Sequence, residues 1–267
     1  MIDAVLVVLT KAVEGREADM EDWYTNIHIR DALRFRGSVT AQRFRFSTEQ
    51  PCRPQGFDWQ YLALYDVFDP VRFSREHLEN ALTSRMQVSD AIDDSVLYDF
   101  HYYPLAFHDH DPDVPHEGGV ILEELHCAEG REDEFRSWYA ANYLPQAAAR
   151  LPQAAARPGV KSAAFLVFRT FGQMIPVAPE YRYVAIYRIN DADAARTAWR
   201  GADTALEKSG LVAPHGSRIT QWDVATPRLT KDHVQHPTAA GLAEEERARA
   251  HMGGNVRAAG LEKLAAS

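Results

Sequence analysis

Residues 14–24 read EGREADMEDWY, and residues 129–139 read EGREDEFRSWY. Both stretches open on Glu-Gly-Arg-Glu and close on Trp-Tyr, at a constant offset of 115. Tryptophan is scarce, with 5 in 267 residues, so its recurrence in a matched frame marks an internal repeat. Further along, WQYLALY at 59–65 returns as YRYVAIY at 181–187, and Asp69 returns as Asp191, now at an offset of 122. The added seven residues have a visible source. LPQAAAR at 144–150 is followed by LPQAAAR at 151–157, and deleting one copy aligns the halves without another gap. The chain therefore reads as a tandem duplication of a unit of about a hundred residues, with a later heptad duplication in the second copy.

Each copy has one order of elements. An apolar run (residues 4–10; 120–125) has the length and β-branched content of a buried strand. A Glu-Gly turn and an acidic first helical turn follow, and Met20, Trp23, Tyr24 and Ile27, like Phe135, Trp138 and Tyr139, keep helical spacing. Gly37 or Gly159 ends that helix. Strands are expected at 39–46 and 161–168, then at 59–65 and 181–187, with a proline-containing loop between them. Asp69 and Asp191 are expected to cap a second helix, and a last strand is expected near 96–102 or 219–224. The order β-α-β-β-α-β predicts an α+β protein of two tandem ferredoxin-like units. The expected boundaries are 1–106 for the first unit, 107–118 for a linker, 119–227 for the second unit and 228–267 for a C-terminal arm.

With Trp23-Tyr24, then His28-Ile29-Arg30-Asp31-Ala32-Leu33, a glycine and the Arg43-Phe44-Arg45 strand, the first copy resembles the dimeric α/β-barrel superfamily. The nearer likeness is to its EthD-like branch, with a WYxxxHxxxxL helix pattern, and it spans roughly residues 3–226. The resemblance implies two four-stranded sheets paired into a barrel, which the tandem copy would make an intramolecular pseudo-dimeric α/β barrel. It also implies a varied set of activities: cofactor-free cyclases, isomerases, lyases and monooxygenases, besides haem enzymes. Of site residues it carries over His28 alone.

Composition narrows the function. At 46% hydrophobic and 25% charged residues the chain is an ordinary globular protein. A net charge of -9 without a basic cluster argues against a nucleic-acid partner. Cys52 and Cys127 make no disulfide framework or metal-type spacing, which points to a reducing compartment. Residues 1–9 lack a basic leader, and no stretch has the length of a membrane span, so a cytoplasmic protein without a membrane partner is expected.

Aligning the copies isolates polar residues unique to one of them. His28 aligns with Tyr143, Arg43 and Arg45 with Phe165 and Val167, His77 with Trp199, and His101 with Asp223. Arg43 and Arg45 lie two apart on a strand, hence on one face. The first copy is therefore expected to hold the site. His28 is the expected general acid/base, its ordinary pKa near 6.5 being suited to proton transfer at neutral pH. Arg43 and Arg45 are expected to meet a substrate anion, with Tyr24, His77 and His101 beside them. The competing readings are a packed His28 and arginines held in rim ion pairs.

The segment HDHDPDVPH at 108–116 has ligand-type residues but reads as a proline-marked linker. No metal or cofactor is expected, and nothing of G-x-G-x-x-G, P-loop or G-x-S-x-G type occurs. The expected function is a cofactor-independent lyase or isomerase of a small aromatic or lactone-like metabolite. The alternatives are a cofactor-free monooxygenase of hydroxylated aromatics and a non-catalytic binding protein of the EthD type. A homodimer of the whole chain is open.

Overall fold

The computed structural model describes residues 2–52, 57–82, 86–108, 118–148, 160–169, 178–252 and 256–257. The first half comprises β1 (Ala4–Thr10), α1 (Glu17–Trp23), a π turn (Tyr24–His28), α2 (Ile29–Arg34), β2 (Ser38–Phe46), β3 (Tyr61–Val67), α3 (Pro70–Leu82), the short β4 (Val88–Ser89) and β5 (Tyr98–His108). The second half comprises β6 (Val120–Cys127), α4 (Glu132–Trp138), a π turn (Tyr139–Tyr143), α5 (Leu144–Ala148), β7 (Val160–Phe168), β8 (Tyr183–Ile189), α6 (Ala192–Trp199), α7 (Ala202–Lys208) and β9 (Val212–Val224). After them come β10 (Leu229–Thr230), α8 (Lys231–Gln235), α9 (Ala239–Met252) and β11 (Val256–Arg257).

Eight strands close on themselves in the order β2-β3-β1-β5-β7-β8-β6-β9, with β9 pairing back to β2. Every pairing is antiparallel. The halves meet at two seams, β5 with β7 and β9 with β2. Closure removes the free edges and gives each strand two covered faces, which is why β1 is a run of seven buried residues instead of an alternating pattern. Val5, Val7 and Leu9 face the barrel interior with Phe44, Leu64 and Phe100, while Leu6 and Val8 face the helices with Met20, Trp23 and Ile27. Gly37 shows how tightly the helix layer is seated. Its φ of 101° suits glycine, and a Cβ there would lie 2.4 Å from the Asp69 carbonyl oxygen.

The expected helix caps are present. Asp69 accepts from the Arg72 N–H at 3.0 Å, and Asp191 accepts from the Ala194 N–H at 2.9 Å. Both first helices also pass through a π turn at matching places, which local spacing did not reveal. Two expectations need correction. β5 runs through His108 and pairs with β7, so the expected linker at 107–118 begins inside a strand; its remaining expected residues up to 117 lie outside the described residues. β9 is also longer than expected, because its N-terminal part pairs with the far end of β6. The second LPQAAAR copy lies outside the described residues.

Among the described residues, the C-terminal arm packs on the first half. β10 pairs with β2, and β11 pairs with β4. α9 buries Ala248 and Met252 against the first helical layer. Arg34 meets Glu245 at 2.8 Å, and Arg249 meets Asp31 at 2.6 Å.

Candidate functional site

Strand register defines the floor of the first-half helix layer. Leu6 stands opposite Tyr65 and His101, and Tyr65 stands opposite Ala41. One row along, Val8 stands opposite Ala63 and Asp99, and Ala63 stands opposite Arg43. Ala63 and Val8 thus form a low apolar floor between Arg43 on one side and Asp99 on the other. Tyr24 and His28 lie above it on the π turn, and His77 reaches in from α3. Tyr65 donates a hydrogen bond to the Tyr24 hydroxyl at 3.2 Å. The His28 ring lies 4.7 Å from that of Tyr24, 4.7 Å from Trp23 and 5.8 Å from His77. Phe73 lies 6.1 Å from both His77 and His101.

Arg43 is 1% exposed. Its guanidinium donates to Thr25 Oγ1 at 2.6 Å, lies 4.4 Å over the Tyr24 ring, and leaves its Nε without a partner. No carboxylate among the described residues pairs with it, and burial lowers its pKa. A cation in this state attracts an anion strongly. Burial is also the first cause of the shifts around it. His28 falls to about 3, with His77 and Arg43 adding repulsion, and His77 falls to about 4. His101 falls to about 3 through burial and then His77. The three rings are therefore neutral at pH 7. Burial raises Asp99 to about 7 and Tyr24 to about 12.

Of the expected site residues, His28, Tyr24, Arg43, His77 and His101 all lie in this one layer. Arg45 is the exception: its side chain is 60% exposed at the rim and ion-paired to Glu21. The expected alignment of His101 with Asp223 is corrected by the register. Leu6 faces His101, and its counterpart Ile121 faces Gln221, so the last strands align at an offset of 120. Asp223 is exposed and accepts from Ser47.

Two residues escaped the sequence comparison. Asp99 was legible, since it lies two before His101 on the same strand face. Glu123 was harder to see, inside what reads as an apolar strand. In the second half it is fully buried and accepts from Tyr139, from Trp199 Nε1 at 2.6 Å, from Tyr143 at 3.4 Å and from Tyr187 at 3.5 Å. A surface recess of about 360 Å³ lined by His126, Cys127, Glu132 and Arg182 involves none of the expected site residues.

The closed eight-strand barrel with outer helices is the dimeric α/β-barrel fold. No protein-family model and no curated protein sequence matches the chain. Solved structures do. A Fusobacterium nucleatum protein provisionally described as a monooxygenase superposes with a TM-score of 0.54 at 10% identity, over 85% of this chain and 94% of its own. The encapsulated DyP-type peroxidase of Mycobacterium smegmatis gives 0.50 at 11% identity, over 89% and 96%. A DypB variant of Rhodococcus jostii in complex with haem gives 0.50 at 8% identity, over 89% and 96%. These likenesses establish the fold.

A haem needs an axial ligand and a broad slot. His28, His77 or His101 would supply the first. The second is blocked among the described residues, because Tyr24 of the helix layer rests directly on Tyr65 and Arg43 of the sheet. In the second half the corresponding space holds Glu123 and its four donors. The described residues do not fit a haem. Among them no group of His, Cys, Asp or Glu has a metal-binding arrangement, and no helix is long and apolar enough to cross a membrane.

Proposed function

We propose that this chain is an enzyme whose first half deprotonates a small hydroxylated aromatic and passes the resulting anion to dioxygen, as a cofactor-free monooxygenase. The observation that carries this reading is Arg43, a buried guanidinium without a carboxylate partner, set across an apolar floor from the half-buried Asp99. Asp99, with a pKa near 7, is matched to accept a proton at neutral pH, and the neutral His28 offers a ring nitrogen to the same hydroxyl. Arg43 stabilises the anion that forms. For an anthrone-type substrate, the overall reaction converts one ring methylene and one dioxygen into a ring carbonyl and one water. Both methylene C–H bonds break, one oxygen atom stays in the carbonyl and the other leaves as water, and the substrate itself is the reductant. The monooxygenase description of the Fusobacterium nucleatum protein of the same fold favours oxygen as the second substrate.

The expected lyase or isomerase reaction uses the same first step and returns the proton or expels a leaving group instead. An oxygen electrode separates the two, using purified protein and a panel of hydroquinone- and anthrone-type compounds. Substrate-dependent oxygen uptake that is lost in Arg43→Met supports the proposal. Turnover without oxygen uptake assigns the lyase or isomerase reaction.

The matched π turns, caps and floor positions support a tandem origin of two ferredoxin-like units, the first carrying the site. The Trp23, Tyr24 and His28 pattern supports placement in the EthD-like branch. Units at 1–106 and 119–227 and an arm from 228, with the boundary adjusted for β5, form part of the same proposal.

A further inference from the structure

The halves differ most where they are otherwise most alike. Val8 and Glu123 hold one position, each opposite an alanine, Ala63 or Ala185. Tyr24 and His28 correspond to Tyr139 and Tyr143 as the ends of the two π turns. Tyr65 corresponds to Tyr187, one row from that alanine. His77 corresponds to Trp199, each eight residues beyond a capping aspartate. The hydroxyl pair is kept as well, at 3.2 Å between Tyr65 and Tyr24 and at 2.9 Å between Tyr139 and Tyr187. In the second half these side chains surround the Glu123 carboxylate. The first half keeps hydrogen-bonding side chains at all four places and has a valine where the carboxylate would originate.

We infer that the first half binds a ligand carboxylate at the place where the second half puts the carboxylate of Glu123. The inference takes the site proposed above as its own and names the substrate class, a small carboxylic acid. Three further observations support it. Valine is smaller than glutamate, and His77 and His28 are smaller than Trp199 and Tyr143, while Phe73, at the place of Ala195, stands between Tyr65, His77 and His101. His28 Nδ1 is buried without a partner, an atom that the corresponding tyrosine lacks. Finally, where Phe165 stacks on Tyr139 at 4.2 Å, Arg43 lies over Tyr24 at 4.4 Å, so a positive charge stands beside the position that the carboxylate would take. The second half needs no such cation, because four donors already hold a carboxylate that is part of the chain.

The test uses the full chain, with benzoate and acetate as probes and chloride at equal ionic strength as control. Expected is a saturable rise in melting temperature and a change in tryptophan emission with the carboxylates alone, since Trp23 lies against His28. Val8→Glu should fill the site with its own side chain and abolish the response. Arg43→Met should weaken binding at least tenfold. Should Val8→Glu fail to fold, His77→Trp, which restores the bulk of Trp199, is expected to abolish the response instead. A wild type that responds to carboxylates no more than to chloride, or a folded Val8→Glu that binds as tightly as wild type, overturns the inference. Carboxylate binding without oxygen uptake upholds the site and defeats the oxygenase reading, whereas oxygen uptake on neutral phenols without carboxylate binding does the reverse.

Discussion

Asp66 and Arg188 hold corresponding places in the two halves, opposite Val5 and Val120, and their side chains meet inside the barrel at 3.9 Å. In a barrel of two identical halves this position would face its own copy, like charge against like. Here it carries opposite charges, which matches each half to the other. Asp66 also accepts from Thr40 at 2.6 Å and meets Arg228 at 2.9 Å, so one buried carboxylate serves two guanidinium groups.

That arrangement predicts unequal costs. Asp66→Asn leaves two buried cations without their anion and should destabilise by about 3–5 kcal/mol. Arg188→Met leaves Asp66 paired to Arg228 and should cost clearly less. Urea unfolding of both variants checks the order, and equal losses would contradict it.

Glu123 should be a stability residue. Glu123→Leu strips the acceptor from three tyrosines and Trp199, and each buried donor left unpaired costs about 1–3 kcal/mol. The melting temperature should fall steeply. Tyr143→Ala should likewise lower stability more than turnover. A Glu123→Leu protein as stable as wild type would show that this network contributes little.

Activity should depend on the other half. Asp99→Asn and His28→Ala should each lower turnover by about a hundred- to ten-thousand-fold if they move the proton, with circular dichroism unchanged. Arg45→Ala, at the exposed rim, should stay near wild type. Steady-state kinetics on a substrate found in the oxygen-uptake screen decides this, and an unaffected Asp99→Asn would remove it from the mechanism.

Stability should fall on mild acidification. His28, His77 and His101 are held below their ordinary pKa of 6.5, to about 3 or 4, so the unfolded chain binds protons that the folded chain does not. Stability present above pH 6.5 is lost as pH falls through 6.5 toward those values. Asp99, raised to about 7, acts oppositely: its folded form keeps a proton that the unfolded form loses above about 4. Burial raises Asp31 and Glu124 in the same sense as Asp99, and the three histidines, each held well below 6.5, set the direction between pH 7.5 and 5. Urea midpoints measured from pH 7.5 to 5 should fall, and His77→Phe should flatten the profile; a profile unchanged by that substitution would argue against a buried neutral His77.

The helical faces were legible because helix and strand periodicity are local. Met20, Trp23 and Ile27 are spaced for one face, and they are buried. The asymmetry of His28 and Arg43 was legible for a related reason: aligning the two halves cancels what the scaffold demands of both. The pairing of Asp99 with Val8 and the network around Glu123 were not, because they depend on which strands lie side by side.

Within the sequence alone, the repeat, the order of elements, the two capping aspartates and the half carrying the unmatched histidines and Arg43 were already determined, each by spacing along the chain. The tertiary structure decided the rest. Barrel closure set the register that puts His101 level with Gln221, and turned Arg45 outward to Glu21 while burying Arg43. It also brought Asp66 to Arg188 and docked α9 on the first half. The physical reason is that each of these joins residues far apart in sequence, whose meeting depends on loop lengths and on closing an eight-stranded sheet, and no local pattern encodes either.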